Sequence, residues 1–192
     1  MTDLRKALPG PVLEVAPRLL GATLRHGGVA LRITEVEAYD GAEDPGSHAF
    51  RGPTTRNAIM FGPPGFLYVY LIYGMHHCAN VVCGPEGRAA AVLLRAGEIV
   101  GEPPRTASGP GRLCRALDID RDQGGVDLTT GPVRLELGDR VPVSSVSCGP
   151  RVGLRAAADR PWRFWITGDP TVSRYVPAKP PTRAPGNRRL QN

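Results

Sequence analysis

The chain has 192 residues, enough for one domain with a substantial buried core. Gly and Pro account for 44 residues and 41% are hydrophobic, which indicates a folded protein with many turns and few long helices. Four cysteines are too few for a disulfide-held scaffold, and the apolar run 66–73 is far shorter than the ~20 residues of a membrane span. We therefore expect a soluble protein without a signal peptide.

The net charge of +6 comes almost entirely from arginine and is unevenly distributed. Residues 1–87 carry 7 basic and 8 acidic groups, whereas residues 88–192 carry 17 and 10. Arginine binds phosphate through two parallel hydrogen bonds and stacks on flat rings. Charge alone leaves two interpretations open: a solvated basic surface, or a polyanion partner such as nucleic acid.

Hydrophobic periodicity and turn residues predict short elements along the chain. Helices are predicted at 11–20 and 110–117, a strand or short helix at 89–95, and strands at 30–39, 66–73, 78–83, 133–137, 141–146 and 163–167. Short strands with hairpin-range connections predict an α+β fold. We expect a single mixed domain over residues 1–175, built around a curved, mainly antiparallel sheet with a protruding β-hairpin. The basic, Pro-rich residues 176–192 are predicted to form a disordered tail.

Two carboxylates lie two residues apart in the strand predicted at 30–39. Alternate side chains of a strand share a face, so Glu35, Glu37 and Tyr39 are expected to point the same way. Apolar neighbours raise the pKa of a carboxyl group and suit it to act as a general base. From the spacing alone, a solvated face on an edge strand is the more frequent arrangement.

Three of the five tyrosines fall within six residues, Tyr68 to Tyr73. Tyr68 and Tyr70 share one strand face, and Tyr73 precedes Gly74 at the expected hairpin tip. Packing in a core strand is one interpretation of this cluster. A tyrosine at a hairpin tip also has the shape needed to wedge between stacked bases.

Other kinds of site find little support in the sequence. His76, Cys78 and Cys83 could be imagined around a metal, but there is no C-x-x-C pair and no compact set of four ligands. The zinc-deaminase signature, the phosphate-binding P-loop and the dinucleotide-binding glycine motif are absent. We therefore expect no metal and no cofactor.

A series of short motifs occurs in order along the chain: Glu37-Ala38-Tyr39, His48, Thr55-Arg56-Asn57, Met60-Phe61, Pro64-Gly65, Leu67-Tyr68-Val69-Tyr70, Ile72-Tyr73-Gly74-Met75, Asn80, Val92-Leu93-Leu94-Arg95-Ala96, Ser108-Gly109-Pro110, Leu113-Cys114, Arg151-Val152-Gly153, Arg163-Phe164, Gly168-Asp169-Pro170 and Val172-Ser173. Each motif is weak alone, but their joint order is specific. Together they resemble the alkyladenine (3-methyladenine type) DNA glycosylase family, from about Leu13 to Ser173.

The resemblance implies an enzyme of base excision repair that uses neither a metal nor a cofactor. Such enzymes flip alkylated or deaminated purines out of double-stranded DNA, hydrolyse the N-glycosidic bond and leave an abasic site. The resemblance further implies that Glu37 activates the attacking water, and that Arg95 and the backbone carbonyl of Val152 help to hold it. Glu35 then becomes a structural residue.

The same resemblance implies how damaged DNA is held. Tyr39, His48 and Tyr70 correspond to residues that stack on the flipped base, and His48 is a candidate for protonating it. Asn80 corresponds to a residue that rejects the 2-amino group of guanine, and Tyr73 to a wedge that fills the vacated space. Residues 55–57 (Thr55, Arg56 and Asn57) are expected to contact DNA.

The basic C-terminal half is expected to bind phosphates. We expect a monomer in the cytoplasm, associated with the nucleoid in a prokaryote. The alternative to an enzyme is a non-catalytic binder of damaged or bent DNA that keeps the wedge and the basic surface.

Overall fold

The computed structural model describes residues 4–178, in which eight strands form one sheet. Every pairing between these strands of the described chain is antiparallel. The strands are β1 (Thr23–His26), β2 (Val29–Tyr39), β3 (Leu67–Ile72), β4 (His76–Val82), β5 (Ala91–Glu98), β6 (Arg134–Glu136), β7 (Val146–Gly149) and β8 (Arg163–Ile166). The helices are α1 (Leu4–Ala7), α2 (Val12–Arg18) and α3 (Pro110–Ala116). The predicted α+β fold with a mainly antiparallel sheet is confirmed.

The longest strand, β2, lies at the centre of this sheet. The strand order is β3-β4-β5-β2-β1-β6, and β8 joins β2 and carries β7. One edge of β2 pairs with β5, whereas its other edge is shared by β1 and, around Glu35–Glu37, by β8. The interpretation of β2 as a solvated edge strand is therefore wrong, and both of its carboxylates are fully buried.

The register between β2 and β5 is irregular where the two carboxylates lie. Glu35 pairs with Ala96 and Val36 pairs with Leu94, so Arg95 is the additional residue of a β-bulge. Bulges bend a strand and redirect the side chain they contain. The bulge therefore places the Arg95 side chain beside both carboxylates of β2.

Two hydrophobic clusters support the sheet. The larger one joins α2 and α3 to the inner face of the sheet and includes Leu19, Leu31, Val36, Leu94 and Leu113. The smaller one lies under the loop that follows β2 and includes Ala49, Met60, Tyr68, Val82, Ala89 and Ala91. This second cluster holds the loop against β3 and β4.

The hairpin of β3 and β4 ends in a tight turn that carries Tyr73. The Met75 N–H donates to the Ile72 carbonyl at 3.1 Å, and Tyr73 and Gly74 have φ values of 52° and 68°. Positive φ at both central residues is typical of a type I′ turn, which usually contains Asn-Gly or Gly-Gly, and because Ile72 pairs with His76, Met75 is an additional loop residue. Tyr73 is thus held in a conformation that a bulky residue rarely adopts, with 83% of its surface exposed.

Most sequence-predicted elements are present. The helix predicted at 11–20 is α2, and the strand predicted at 30–39 is β2. The segment 89–95, predicted as a strand or a short helix, belongs to strand β5. The strand predicted at 141–146 is wrong, because Val143–Ser145 is a 3-10 turn and β7 begins only at Val146. Pro142, which has no N–H for a ladder, precedes this turn and accepts a hydrogen bond from Ser145.

The last described residues run beside the sheet without regular secondary structure. The Gly153 N–H donates to the Val176 carbonyl at 3.0 Å, so hydrogen bonding to the domain extends one residue past the predicted boundary at 175. Most of the predicted disordered tail, residues 179–192, lies outside the described residues. Within 4–178, no helix combines the length and the hydropathy that a membrane crossing requires.

Candidate active site

A cleft of about 710 Å³ opens between the β3–β4 hairpin, the start of α3, the loop after β2 and the turn at 152–154. Sites for small ligands typically fall between ~300 and ~1,000 Å³. Eight of the eleven residues that the resemblance assigns to catalysis or DNA binding line this cleft: Glu37, Tyr39, His48, Tyr70, Tyr73, Asn80, Arg95 and Val152. Residues drawn from four strands and three loops therefore meet at one place.

Glu37 lies in this cleft with a fully buried side chain. Its Oε1 accepts a hydrogen bond from the Val152 N–H at 2.7 Å and is 3.3 Å from Nη1 of Arg95. Its Oε2 accepts a hydrogen bond from the Tyr39 hydroxyl at 2.8 Å. All three partners are donors, an environment that suits a carboxylate and fixes its orientation.

Glu35 lies beside Glu37 in a second buried network. Its Oε1 accepts hydrogen bonds from Nε of Arg95 at 2.8 Å and from Nε of Arg163 at 2.6 Å. Its Oε2 accepts from the Ser173 N–H at 2.6 Å. Burial raises the pKa of the Glu35 carboxyl, but the two guanidinium groups and Ser173 outweigh burial and hold this pKa below its usual value. Glu35 is therefore charged at neutral pH.

Aromatic rings form one wall of the cleft. The rings of His48 and Tyr70 meet edge to face with centroids 4.5 Å apart, and the Tyr68 ring lies 5.6 Å from that of Tyr70. The Tyr68 hydroxyl is 3.4 Å from Nδ1 of His48. Partial burial of His48, and then the charge of Arg56, lower the pKa of its imidazole below the usual value, so the ring is neutral at pH 7.

Tyr39 joins the aromatic lining to the carboxylate. Burial raises the pKa of its phenol well above the usual value, and the negative charge of Glu37 raises it further. Burial also raises the pKa of Tyr70. Both hydroxyls therefore stay protonated at neutral pH, and Tyr39 remains a donor to Glu37.

Asn80 is held rigidly where it borders the cleft. Its amide nitrogen donates to the carbonyl of Tyr68 at 3.0 Å and to that of Cys78 at 3.3 Å. Only 4% of the residue is exposed. Because both amide hydrogens are engaged, the side chain cannot rotate away to admit a larger group.

Arg151 lies under Tyr39, an arrangement that the sequence patterns do not predict. Its guanidinium carbon is 4.6 Å from the Tyr39 ring centroid and 5.1 Å from that of Trp162. The group pairs through both terminal nitrogens with Asp44, one contact measuring 2.7 Å, and also donates to the Ala38 carbonyl at 2.9 Å. Stacking on one face of the Tyr39 ring supports it from behind.

The burial of several arginines corrects the expectation that the basic C-terminal half as a whole binds phosphates. Arg95, Arg151 and Arg163 are 6%, 1% and 4% exposed and pair with internal carboxylates. Their charges therefore neutralise buried carboxylates and do not contribute to a basic surface. The exposed arginines of this half, such as Arg112 and Arg115 in α3, face the solvent beside the cleft.

The predicted DNA-contacting segment 55–57 lies outside the cleft lining and divides into two parts. Thr55 and Arg56 are exposed, and the Arg56 guanidinium lies 5.5 Å from the Tyr70 ring centroid. Asn57 is 2% exposed, and its amide nitrogen donates to the carbonyls of His48 and Gly52 at 3.0 and 3.1 Å. A DNA contact by Asn57 is therefore not supported, because its side chain fixes the loop that carries His48.

Among residues 4–178, no three His, Cys, Asp or Glu side chains cluster in a way that could hold a metal ion.

Comparisons with known proteins agree on one family. The model of the methylpurine-DNA glycosylase family matches residues 6–170. Similar proteins come from Streptomyces avermitilis (53% identical, covering 89% of this chain and 90% of the relative), Frankia casuarinae (54%, 89% and 92%) and Nocardia farcinica (54%, 89% and 89%). Each is provisionally named a 3-methyladenine DNA glycosylase.

These likenesses, together with the cleft and its buried carboxylate, define an enzyme of the DNA glycosylase class, which hydrolyses N-glycosidic bonds. More narrowly, the chain belongs to the methylpurine-DNA glycosylase family. The resemblance drawn from the sequence motifs is thereby confirmed.

Proposed function

We propose that this chain is a monofunctional DNA glycosylase that removes alkylated or deaminated purines from double-stranded DNA. The substrates are of the 3-methyladenine, 7-methylguanine, hypoxanthine and ethenoadenine class. The damaged nucleotide flips into the cleft, and water activated by Glu37 hydrolyses the N-glycosidic bond. The product is an abasic site for base excision repair, and the enzyme acts as a monomer on chromosomal DNA in the cytoplasm.

The observation that carries this proposal is the buried carboxylate of Glu37 beside an aromatic wall. Breaking an N-glycosidic bond builds positive charge on the sugar, so a fixed carboxylate next to C1′ stabilises the transition state and takes the proton of the attacking water. Glu37 has three donors that fix its orientation. Arg95 and the carbonyl of Val152 complete the binding of the water.

The flipped base stacks between Tyr39 on one side and His48 and Tyr70 on the other. Electron-rich rings attract a cationic base by ~1–2 kcal/mol when water is excluded, and they also accept flat neutral lesions. The lowered pKa of His48 leaves its imidazole mainly neutral at pH 7, and in this form the ring stacks on the base. Neutral lesions need a proton on the departing base, and the protonated form of His48 is the candidate for supplying it. The cationic lesions depart as neutral bases and need no acid.

Two further residues select and hold the extrahelical state. The rigid amide of Asn80 clashes with the 2-amino group of guanine and so excludes the normal base. Tyr73, at the exposed hairpin tip, fills the gap left in the duplex, and Thr55 and Arg56 bind the backbone nearby.

Base release from a duplex with a single hypoxanthine or ethenoadenine, and from methylated DNA, tests the proposal. We expect the wild type to produce abasic sites, and Glu37→Gln to bind the lesion duplex without releasing the base. Glu86→Gln, which removes an exposed carboxylate outside the cleft lining, is the matched control and should retain full activity. Tight lesion binding without release by the wild type would favour the non-catalytic binder, and release by Glu37→Gln would refute the general-base role.

A further inference from the structure

Arg95 is held at three nitrogens by three different partners. Its Nε donates to Glu35 at 2.8 Å, its Nη2 donates to the Ser173 hydroxyl at 3.2 Å, and its Nη1 faces Glu37 at 3.3 Å. The Ser173 hydroxyl in turn donates to Glu35 at 2.9 Å. The guanidinium plane is thus fixed from behind by two residues that do not themselves line the cleft.

Arg163 anchors the same arrangement from β8. Its Nε shares Oε1 of Glu35 with Arg95, and its Nη2 donates to the Ser173 carbonyl at 2.8 Å. Two carboxylates and two guanidinium groups are therefore packed together with no net charge. All four side chains are 7% exposed or less.

An arginine next to a carboxylate ordinarily binds it through two parallel hydrogen bonds. Oε1 of Glu37 already accepts from Val152 and faces Arg95, and Oε2 already accepts from Tyr39. A second hydrogen bond from Arg95, to Oε2, would use the last acceptor site of this carboxylate, which could then not accept the proton of a water molecule. Because Glu35 and Ser173 engage Nε and Nη2, Arg95 meets Glu37 through a single nitrogen. Oε2 of Glu37 then accepts one hydrogen bond, from Tyr39, and keeps a second acceptor site for a water molecule in the cleft.

We propose that Glu35 and Ser173 are positioning residues for base excision: they hold Arg95 in one-point contact with Glu37, which keeps that carboxylate open to the attacking water. This inference rests on the proposed function, in which Glu37 is the general base and Arg95 helps to hold the water. It assigns a task in the reaction to Glu35, which the sequence resemblance left as structural.

The test is the single-turnover rate of ethenoadenine release per active site, with active sites titrated by a duplex that carries a tetrahydrofuran abasic analogue. Glu35→Gln should lower the rate by about 10²-fold, the size of loss that a ~1 Å misplacement causes. Ser173→Ala, which keeps the backbone contact to Glu35, should lower it roughly 10-fold, while affinity for the analogue duplex stays within about twofold of wild type in both. Thr171→Ala is the matched control, because it removes a buried hydroxyl from the same segment that bonds Thr34 and not Arg95.

Two double variants separate positioning from simple structural support. Glu35→Gln with Arg163→Met restores charge balance, so the melting temperature should recover while the rate stays low. Glu35→Gln combined with Arg95→Met should be no slower than Arg95→Met alone, because Glu35 acts through Arg95.

The inference is overturned if Glu35→Gln reacts at the wild-type rate per active site, if the charge-balanced variant regains rate together with stability, or if the losses of Glu35 and Arg95 multiply. Arg95→Met alone tests the proposed function. If Arg95→Met excises at the wild-type rate, Arg95 does not hold the attacking water. If Arg95→Met is slow but Glu35→Gln excises at the wild-type rate, only the positioning role of Glu35 is overturned.

Discussion

Replacing Tyr73 by asparagine should make the protein more stable and less active at once. The residue has φ of 52°, and the left-handed conformation costs a bulky L-residue ~1–2 kcal/mol. Asparagine adopts this conformation readily and, followed by Gly74, forms the preferred type I′ pair. The substitution therefore removes most of this cost.

The packing lost in the exchange is small. Tyr73 is 83% exposed, so about one-sixth of a side chain of ~200 Å² is in contact with the protein. At ~25 cal/mol per Å² this contact contributes at most ~0.9 kcal/mol. The net change is expected to lie between nearly zero and about +1 kcal/mol, or up to ~2–4 °C in melting temperature for a domain of this size.

Activity should move in the opposite direction. Stacking of an aromatic ring on bases contributes ~1–3 kcal/mol, so losing the ring should weaken capture of the flipped state roughly 5- to 150-fold. Scanning calorimetry gives the stability, and single-turnover release of hypoxanthine gives the activity. Tyr73→Phe keeps both the ring and the backbone cost and should match wild type in both assays. A lower melting temperature for Tyr73→Asn, or an unchanged excision rate, would refute the reasoning.

Three other outcomes are expected. Asn80→Ser should release undamaged guanine at least about tenfold faster than wild type, because serine cannot reach the 2-amino group; unchanged guanine release would remove the selective role. Arg151→Met should lower the free energy of unfolding by ~3–5 kcal/mol in urea titrations, because Asp44 is left buried without its cation, whereas Arg160→Met, which removes a half-buried arginine that pairs with no carboxylate in the described structure, should cost only ~1 kcal/mol. Because the pKa of the Glu35 carboxyl lies below its ordinary value of 4.5, its contribution to stability is complete above that pH and is lost as pH falls through the lower native pKa. When the pH is lowered from 7 to 3, the urea midpoint of the double variant Glu35→Gln with Arg163→Met should therefore fall less than that of the wild type. An equal fall in both proteins would contradict this expectation.

The local sequence pattern is sufficient to predict strand β2 and the β3–β4 hairpin, which contain most of the site residues. Alternation of β-branched residues predicts β2, and with it a common face for Glu35, Glu37 and Tyr39, which share contacts in the structure. The tyrosine-rich run and its turn glycine likewise predict the hairpin. Strand β1 was missed, because four residues with two basic side chains give too short and too polar a signal.

Burial of the carboxylates could not be predicted in the same way. The partners that neutralise Glu35 are Arg95, Arg163 and Ser173, which lie 60, 128 and 138 residues away in sequence. Without knowing that these cations lie beside them, one expects two carboxylates on the same strand to face the solvent. For the same reason, the sequence suggests that Arg151 contributes to a basic surface, whereas in the structure it forms a buried ion pair with Asp44.

The distance in sequence between Glu35 and Ser173 has a consequence for protein synthesis. A ribosome makes β2 early and the segment around Ser173 near the end of the chain, so the carboxylate has to wait for most of translation before its backbone partner exists. Until then Arg95 lacks one of the groups that hold it beside Glu37. Nascent chains and fragments that stop before residue 173 should therefore excise bases more slowly than the full chain, because Arg95 and Glu35 lack this partner.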